Sequence, residues 1–231
     1  MIGRISNEFK ACKKSDRDKD WLKKRNDKKI NIYPEYHLII TEGTKTDPNY
    51  FKAIKLRINE KYKNRISLEI RGDGKNTVGL FDDARGIVER NQKQFSFKHI
   101  WVVYDTDDFP KDKIDSVSEL CKKNSTSYCQ YHAIWSNQCI ELWFLLHFGY
   151  YHSDLHRDYY FPKLDKCLKS INVGKYEKNR EDMFSILEPY IDDAIKNAVR
   201  LQKEQNGNKS PSNSKPGTKV YELIEKLKPY F

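Results

Sequence analysis

The 231-residue sequence has no uninterrupted apolar run near the 18 residues that a membrane-spanning helix requires. Its N-terminus also lacks an apolar signal core. The five cysteines are odd in number and include no Cys-x-x-Cys pair, which argues against a disulfide framework and against a zinc ribbon. From these absences we expect a soluble cytoplasmic protein with no membrane partner.

The sequence also lacks the loops that cradle nucleotide phosphates. The segment Gly72-Asp-Gly-Lys75 follows a predicted strand, but its spacing matches neither a Walker loop nor a dinucleotide-binding fingerprint. An ordinary strand-to-helix turn is the better interpretation of this segment. A GTPase or a kinase that holds Mg²⁺ at acidic turns is therefore disfavoured.

Positive charge and aromatic rings are abundant. The formal net charge is +10, and aromatic residues make up 13% of the chain. Cations suit phosphates and rings suit unpaired bases, so this composition favours a nucleic-acid partner, although charge alone decides little. Residues 1–30 hold eleven Lys or Arg against five acids and few apolar residues, which predicts a basic arm. Contact with nucleic acid and a merely disordered tail are both open for this arm.

Strand and helix patterns alternate through residues 31–149. Short runs of β-branched and aromatic residues predict four strands, and helical spacing predicts a helix after each of them. The predicted strands are 36–41, 66–70, 100–104 and 127–135, with helices near 47–62, 78–92, 113–124 and 140–148. This order predicts an α/β fold: a mainly parallel sheet with helices on both faces.

The pattern becomes all helical in residues 150–231. Helical segments are predicted at 164–171, 181–187, 189–205 and 219–227, and residues 206–217 form a Ser-, Asn-, Gly- and Pro-rich loop. We expect a helical C-terminal region packed on the α/β core. These helices either complete the core or form a small lid.

Acidic residues follow two of the predicted strands directly. Glu42 comes after the first strand, and Asp105 and Asp107 come after the third. Carboxyl ends of parallel strands meet at one edge of a sheet, where ligands of open α/β folds bind. Clustered carboxylates repel one another unless a cation neutralises them, and hard oxygen ligands favour Mg²⁺ or Mn²⁺. The alternative is that these aspartates only end strands and form turns.

This acidic pattern is similar to a known signature. Glu42-Gly43 and Asp105-x-Asp107 resemble the Toprim signature of topoisomerases, bacterial primases and nucleases of the overcoming-lysogenization-defect type. Nearly everything from Tyr36 onward resembles, in order, the RloB-like family of bacterial phage-defence proteins. Five stretches carry this resemblance: Ile40–Phe51, Trp101–Pro110, Ser136-Asn137 with Glu141–Phe148, Asp192–Leu201 and Lys215–Ile224.

The resemblance implies a Toprim (Rossmann-like) fold and assigns roles to the acids. Glu42 becomes a metal ligand or general acid–base group, and Asp105 and Asp107 hold the metal. Asp47 matches an acidic position of the family and is a candidate ligand of a second metal. Since Asp47-Pro48 also suits the start of a helix, a capping role is equally open for it.

Further candidates lie around these acids. Glu141 sits in an otherwise apolar helix, so we expect either a second metal ion or a buried cation as its partner. Residues that could bind substrate at or near the same edge are Lys45, Ser136, Asn137, His156 and Arg157.

The resemblance further implies Mg²⁺- or Mn²⁺-dependent cleavage of phosphodiester bonds in defence against phage, beside an ABC/SMC-like ATPase. RNA, with tRNA among the candidates, is the expected substrate by analogy with related Toprim effectors. A homo-oligomer is left open. The main alternative is a non-catalytic nucleic-acid-binding or adaptor subunit of the ATPase, which three intact acids disfavour. A Toprim topoisomerase or primase is disfavoured because the chain has no recognisable DNA-gate or polymerising domain.

Overall fold

A four-stranded parallel sheet forms the centre of the molecule. The computed structural model describes residues 34–43, 46–70, 77–106, 110–205 and 210–231, so the predicted arm at 1–30 lies outside the described residues. The strands are β1 (His37–Thr41), β2 (Ile66–Ile70), β3 (His99–Asp105) and β4 (Gln130–Ser136). They pair in the order β2-β1-β3-β4, and every pairing is parallel. The predicted α/β class is confirmed.

Helices cover both faces of this sheet because alternate strand residues point to opposite sides. The first three are α1 (Thr46–Tyr62), α2 (Thr77–Asn91) and α3 (Lys111–Asn124). Ile39 of β1 packs on one side with α1, whereas Leu38 and Ile40 pack on the other side with α2 and α3. The two central strands, β1 and β3, are buried on both faces, as expected for a sheet between two helical layers.

The remaining helices extend the layer that contains α1. They are α4 (Glu141–Leu146), α5 (Tyr160–Ser170), α6 (Met183–Leu187), α7 (Ile191–Glu204) and α8 (Val220–Leu227). Their apolar residues share one core with Tyr50, Phe51 and Ile54 of α1. All six residues of α4 are buried, so α4 is surrounded by other elements.

A short turn ties the C-terminal region to the opposite layer. The backbone N–H and the hydroxyl of Ser212 donate hydrogen bonds of 2.9 and 2.7 Å to the two carboxylate oxygens of Asp115 on α3. The following residues reach β4, where Thr218 bridges Ser136. In the described ranges, none of the helices combines the length and apolarity needed to cross a membrane.

Candidate functional site

The ends of β1 and β3 place two acids at one edge of the sheet. The strands are adjacent and parallel, with Thr41 beside Val103. Glu42 follows β1 directly, and its backbone N–H donates to the Val103 carbonyl at 3.2 Å. Asp105 is the last residue of β3 and lies beside Ser136, the last residue of β4. Glu42 and Asp105 therefore occupy the same edge.

Asp47 lies buried beside these acids. It is in the first turn of α1, which begins at Thr46, rather than at the N-cap position that the sequence suggested. Only 3% of Asp47 is exposed. Burial, followed by the negative charges of Glu141 and Glu42, raises the pKa of Asp47 to about 7. Its carboxylate packs against Gly43, where a β-carbon would stand 3.0 Å from Asp47 Oδ2.

Glu141 brings a further carboxylate to this edge from the start of α4. It is 3% exposed, and the Tyr176 hydroxyl donates a 2.7 Å hydrogen bond to its Oε1 atom. Burial, and then the charges of Glu141 and Asp105, raises the pKa of the neighbouring Cys139 thiol, with which Glu141 also forms a hydrogen bond. Glu141 thus contacts an uncharged hydroxyl and an uncharged thiol.

Electrostatic effects link the acids of this edge in pairs. Glu42 and Glu141 both raise the pKa of Asp47, and Glu141 and Asp105 both raise that of Cys139. In the part of the chain that the structure describes, no three acidic, histidine or cysteine side chains are grouped closely enough to hold a metal ion. The predicted ligand Asp107 lies outside the described residues, and so does Lys45.

Ser136 and Asn137, two of the predicted substrate contacts, lie at the end of β4 and bind neighbouring segments of the edge. The Ser136 hydroxyl is hydrogen-bonded to the Thr218 hydroxyl at 2.8 Å. The Asn137 amide nitrogen donates to the Thr106 hydroxyl at 3.2 Å, and its backbone N–H donates to the Gly217 carbonyl at 2.8 Å. Asn137 is 1% exposed, and its Oδ1 atom accepts no hydrogen bond from the described residues. Asn137 therefore links the turn after β3 to the C-terminal region.

The other two predicted substrate contacts lie on the connection between α4 and α5. The backbone N–H of Arg157 donates to Gln138 Oε1 at 2.7 Å, which places Arg157 next to the end of β4. His156 is exposed, and its Nδ1 atom lies 3.0 Å from a carboxylate oxygen of Asp158. The structure thus brings the Arg157 backbone to the edge, whereas the His156 side chain contacts Asp158.

Three residues of this region were not among the predicted site residues. Thr106, between Asp105 and Asp107, is buried and receives the Asn137 hydrogen bond. Thr218 holds Ser136, and Tyr176 holds Glu141. Thr218 follows Pro216-Gly217 in a stretch that resembles the family, and that resemblance could have indicated it as a site residue. For Tyr176 the sequence offers none, because it lies in an irregular segment 35 residues beyond its partner.

Comparison with known proteins gives one match. The sequence model of the family described as RloB-like protein matches residues 37–227, which includes β1, α8 and everything between them. No curated protein and no solved structure matches the chain. The matched range contains all the acids at the sheet edge and the elements that carry them. The chain belongs to the RloB-like family.

Proposed function

We propose that this protein is a metal-dependent nuclease of the Toprim type, which cleaves phosphodiester bonds in defence against phage. The observation that carries the proposal is the placement of acids at one edge of the sheet: Glu42 and Asp105 lie at the ends of adjacent parallel strands, and Asp47 and Glu141 are each 3% exposed. Burial and the charges of Glu141 and Glu42 raise the pKa of Asp47. A folded protein keeps like charges buried together where a cation or a proton compensates them.

The chemistry of the donor set suits Mg²⁺ or Mn²⁺, and Asp107, which lies outside the described residues, would complete a set that the described acids do not form by themselves. Glu42 and Asp105, with Asp47 and Glu141, supply carboxylate oxygens from two strand ends and two helix starts. Carboxylates are the ligands that hard divalent cations prefer, and in this edge they outnumber the single thiol of Cys139. With Asp107, these residues are the ones that would hold the ion. When bound, such an ion lowers the pKa of water and stabilises charge on a phosphate.

The chain's own residues supply the geometry. The Val103 carbonyl fixes the Glu42 backbone, and Tyr176 fixes the Glu141 carboxylate. Asn137 holds Thr106, so that the segment between Asp105 and Asp107 is tied to β4 and to the C-terminal region. Fixed ligands reduce the reorganisation that a reaction requires, which is a general property of efficient sites.

Substrate and partner follow from charge and family. The net charge of +10 favours a polyanion, and RNA, including tRNA, is our first choice by analogy with related Toprim effectors. By the same analogy we propose that the protein acts in the cytoplasm beside an ABC/SMC-like ATPase. These assignments rest on family resemblance, whereas the metal assignment rests on the acids.

The test is to express the wild type, Asp105→Asn and Asp82→Asn from an inducible promoter and to follow growth and the RNA and DNA pools. Asp82 is an exposed acid on α2 and serves as the matched control. We expect the wild type and Asp82→Asn to arrest growth and fragment one pool, which identifies the substrate. Asp105→Asn should do neither. If all three arrest growth equally, the acids are not the effector chemistry and the adaptor alternative is favoured.

If the wild type does not arrest growth by itself, the experiment is repeated with the proposed ATPase partner, because effectors of this kind are often inhibited by a partner. The same three variants are then expressed with the neighbouring ATPase and challenged with phage. Loss of protection in Asp105→Asn alone supports the nuclease. Equal protection by all three contradicts it.

A further inference from the structure

The segment Asn172–Arg180, which we call the 172–180 loop, has a defined shape although it contains no helix or strand. Gly174 has φ +93°, a left-handed conformation that glycine adopts without steric cost. The Arg180 guanidinium donates to the carbonyls of Val173 and Lys175 at 3.2 and 2.9 Å. It also forms two hydrogen bonds with the Asp182 carboxylate, at 2.6 and 3.0 Å. The loop is therefore held from within.

The 172–180 loop is attached to the helix that carries Asp47. The Thr46 hydroxyl donates to the Lys178 carbonyl at 2.8 Å, and the Asn49 amide donates to the Asn179 carbonyl at 3.0 Å. Thr46 and Asn49 flank Asp47 in the first turn of α1. This end of the loop therefore lies directly beside the acidic edge.

The same loop is attached to the helix that carries Glu141. The Tyr176 hydroxyl donates to Glu141 Oε1 at 2.7 Å, and the Tyr176 backbone N–H donates to Asp165 Oδ1 of α5 at 3.1 Å. Tyr176 is the donor of this pair, because a carboxylate oxygen accepts hydrogen bonds. One loop thus connects the two buried acids Asp47 and Glu141.

Two exposed lysines flank Tyr176 on this loop. Lys175 precedes it, and Lys178 follows it by two residues. The Lys178 ammonium lies 4.6 Å from the centre of the Phe161 ring, a cation–π contact that limits its freedom. The Phe161 ring is in turn stacked with that of Tyr176, at 6.1 Å between ring centres. The loop that contacts Glu141 and the first turn of α1 therefore carries two exposed cations, with the exposed acid Glu177 between them.

We propose that the 172–180 loop is the substrate-binding element of the acidic edge. Lys175 and Lys178 bind phosphates that flank the cleaved bond, and Tyr176 is a positioning residue that orients Glu141. This inference rests on the proposed nuclease function. It adds the residues that bind the nucleic-acid backbone and explains why they are joined to the metal-binding acids.

The first experiment measures nucleic-acid binding by fluorescence anisotropy in EDTA, with labelled single-stranded RNA, an RNA hairpin and single-stranded DNA. The variants are Lys175→Ala/Lys178→Ala and a control, Lys93→Ala/Lys123→Ala. Lys93 and Lys123 are also exposed, but Lys93 lies two residues after the end of α2 and Lys123 in the last turn of α3, toward the opposite edge of the sheet. The comparison of the three probes identifies which nucleic acid is bound.

We expect the first double variant to weaken binding of the preferred probe. The slope of log K against log salt concentration should become shallower by about 1.4, since each phosphate contact on a single strand contributes roughly 0.7 to that slope. The control should lose less affinity than the first double variant. Equal losses in both double variants would show a diffuse charge effect and would overturn the role of the loop.

The second experiment measures Mn²⁺ binding by calorimetry for the wild type, Tyr176→Phe and Tyr159→Phe. Tyr159 is exposed and is the matched control. Loss of a hydrogen bond to a metal ligand typically lowers metal affinity about 10–100-fold. We therefore expect Tyr176→Phe to lower the affinity for Mn²⁺ at least about tenfold. Thermal unfolding in EDTA checks that the variant is folded. Unchanged Mn²⁺ affinity in a folded Tyr176→Phe protein would overturn the positioning role.

These binding measurements separate the loop from the nuclease. If the loop variants lose binding while Asp105→Asn degrades nucleic acid as the wild type does, the acids are not catalytic but the loop assignment stands. If the loop variants bind as the wild type does and Asp105→Asn loses cleavage, the loop assignment fails and the nuclease stands. A wild type that binds neither Mn²⁺ nor nucleic acid overturns both.

Discussion

Gly43 and Asp47 are in contact across the turn between β1 and α1, and a β-carbon on Gly43 would lie 3.0 Å from Asp47 Oδ2. A contact of this length is tighter than nine in ten contacts of real β-carbons, so Asp47 would have to move by a few tenths of an ångström. Asp47 has little room to move because it is buried on α1. The glycine after Glu42 is therefore explained by packing against a second acid.

Gly43→Ala should consequently weaken metal binding. The added methyl group displaces Asp47, and a displaced or disordered ligand costs about tenfold or more in metal affinity. Calorimetry with Mn²⁺ measures the effect, and Gly149→Ala is the control. A β-carbon on Gly149 would meet only Tyr151 Cε2, at an ordinary 3.7 Å. Equal Mn²⁺ affinity in the two alanine variants would show that Asp47 is not a ligand.

Asp47→Asn should stabilise the metal-free protein. The charged form of Asp47 is disfavoured by burial and by Glu141 and Glu42, so a neutral side chain of the same shape relieves that cost. We expect the midpoint of thermal unfolding in EDTA at pH 8 to rise by a few degrees, at about 2–4 °C per kcal/mol for a chain of this size. Mn²⁺ should raise the midpoint less in this variant than in wild type.

Asp82→Asn, on the exposed face of α2, is the control for this experiment and should leave both quantities unchanged. A lower midpoint for Asp47→Asn in EDTA would mean that the Asp47 carboxylate is already compensated within the fold.

A buried hydrogen bond joins α1 to α4 beneath the site. The Trp143 indole N–H donates to the Tyr50 hydroxyl at 3.1 Å, and both side chains are fully buried. Tyr50→Phe leaves the indole N–H without its acceptor, which costs about 1–3 kcal/mol of the free energy of unfolding. Urea unfolding measures the loss. Tyr128→Phe, at an 84% exposed position, should change it by less than about 0.5 kcal/mol. Similar values for both would show that Trp143 finds another partner.

The sequence was a good guide to the elements because burial on both faces leaves a clear composition. Ile66–Ile70 alternates apolar and polar residues, a pattern typical of a strand that is not buried on both faces, and β2 is an edge strand. β4 was predicted to begin at Ser127 but begins at Gln130. The reason is local: the Thr126 hydroxyl accepts from the backbone N–H groups of Tyr128 and Cys129 and holds them in a turn.

Side-chain contacts between segments that are distant in the chain could not be predicted from the sequence. The positions of Glu42 and Asp105 follow from strand ends in a parallel sheet, so their shared edge could be predicted. The contact between Tyr176 and Glu141 depends on how an irregular segment folds back over α1 and α4, which no periodic pattern encodes. The helix spacing that predicts α4 likewise cannot indicate which residue donates a hydrogen bond to its one acid.

Three histidines lie at the opposite, amino-terminal edge of the sheet. His37, His99 and His132 begin or lie near the start of β1, β3 and β4, and they stack around Trp101. The Trp101 indole N–H donates to His37 Nδ1 at 3.0 Å, and ring nitrogens of His99 and His132 lie 3.0 Å apart. No spacing or motif in the sequence groups these three histidines.

Charged groups face this cluster from two neighbouring elements. Glu35 lies 2.9 Å from His99 Nε2, and Lys226 of α8 lies 3.3 Å from the same Glu35 oxygen. Burial, and then the positive charges of the other histidines and of Lys226, lowers the pKa of His37 to about 3. Burial followed by the charges of His99, Lys226 and Lys219 lowers the pKa of His132 to about 4.

The protein should therefore lose stability in acid through this cluster. A histidine whose pKa is lower in the folded state is neutral there, whereas the unfolded chain binds a proton below its pKa near 6.5. The stabilising contribution is complete above pH 6.5 and is lost as the pH falls toward 3. For His37, the free energy of unfolding should fall by about 1.4 kcal/mol for each pH unit below 6.5.

His37→Gln should reduce this acid dependence, because glutamine does not bind the proton while its side-chain oxygen can still accept from Trp101. In urea unfolding between pH 7.5 and pH 5, the slope of the unfolding free energy against pH should match the wild-type slope near pH 7.5 and be smaller by about one proton near pH 5. His152→Gln removes an exposed histidine and should retain the wild-type slope. A slope unchanged by His37→Gln would show that His37 is protonated in the folded protein.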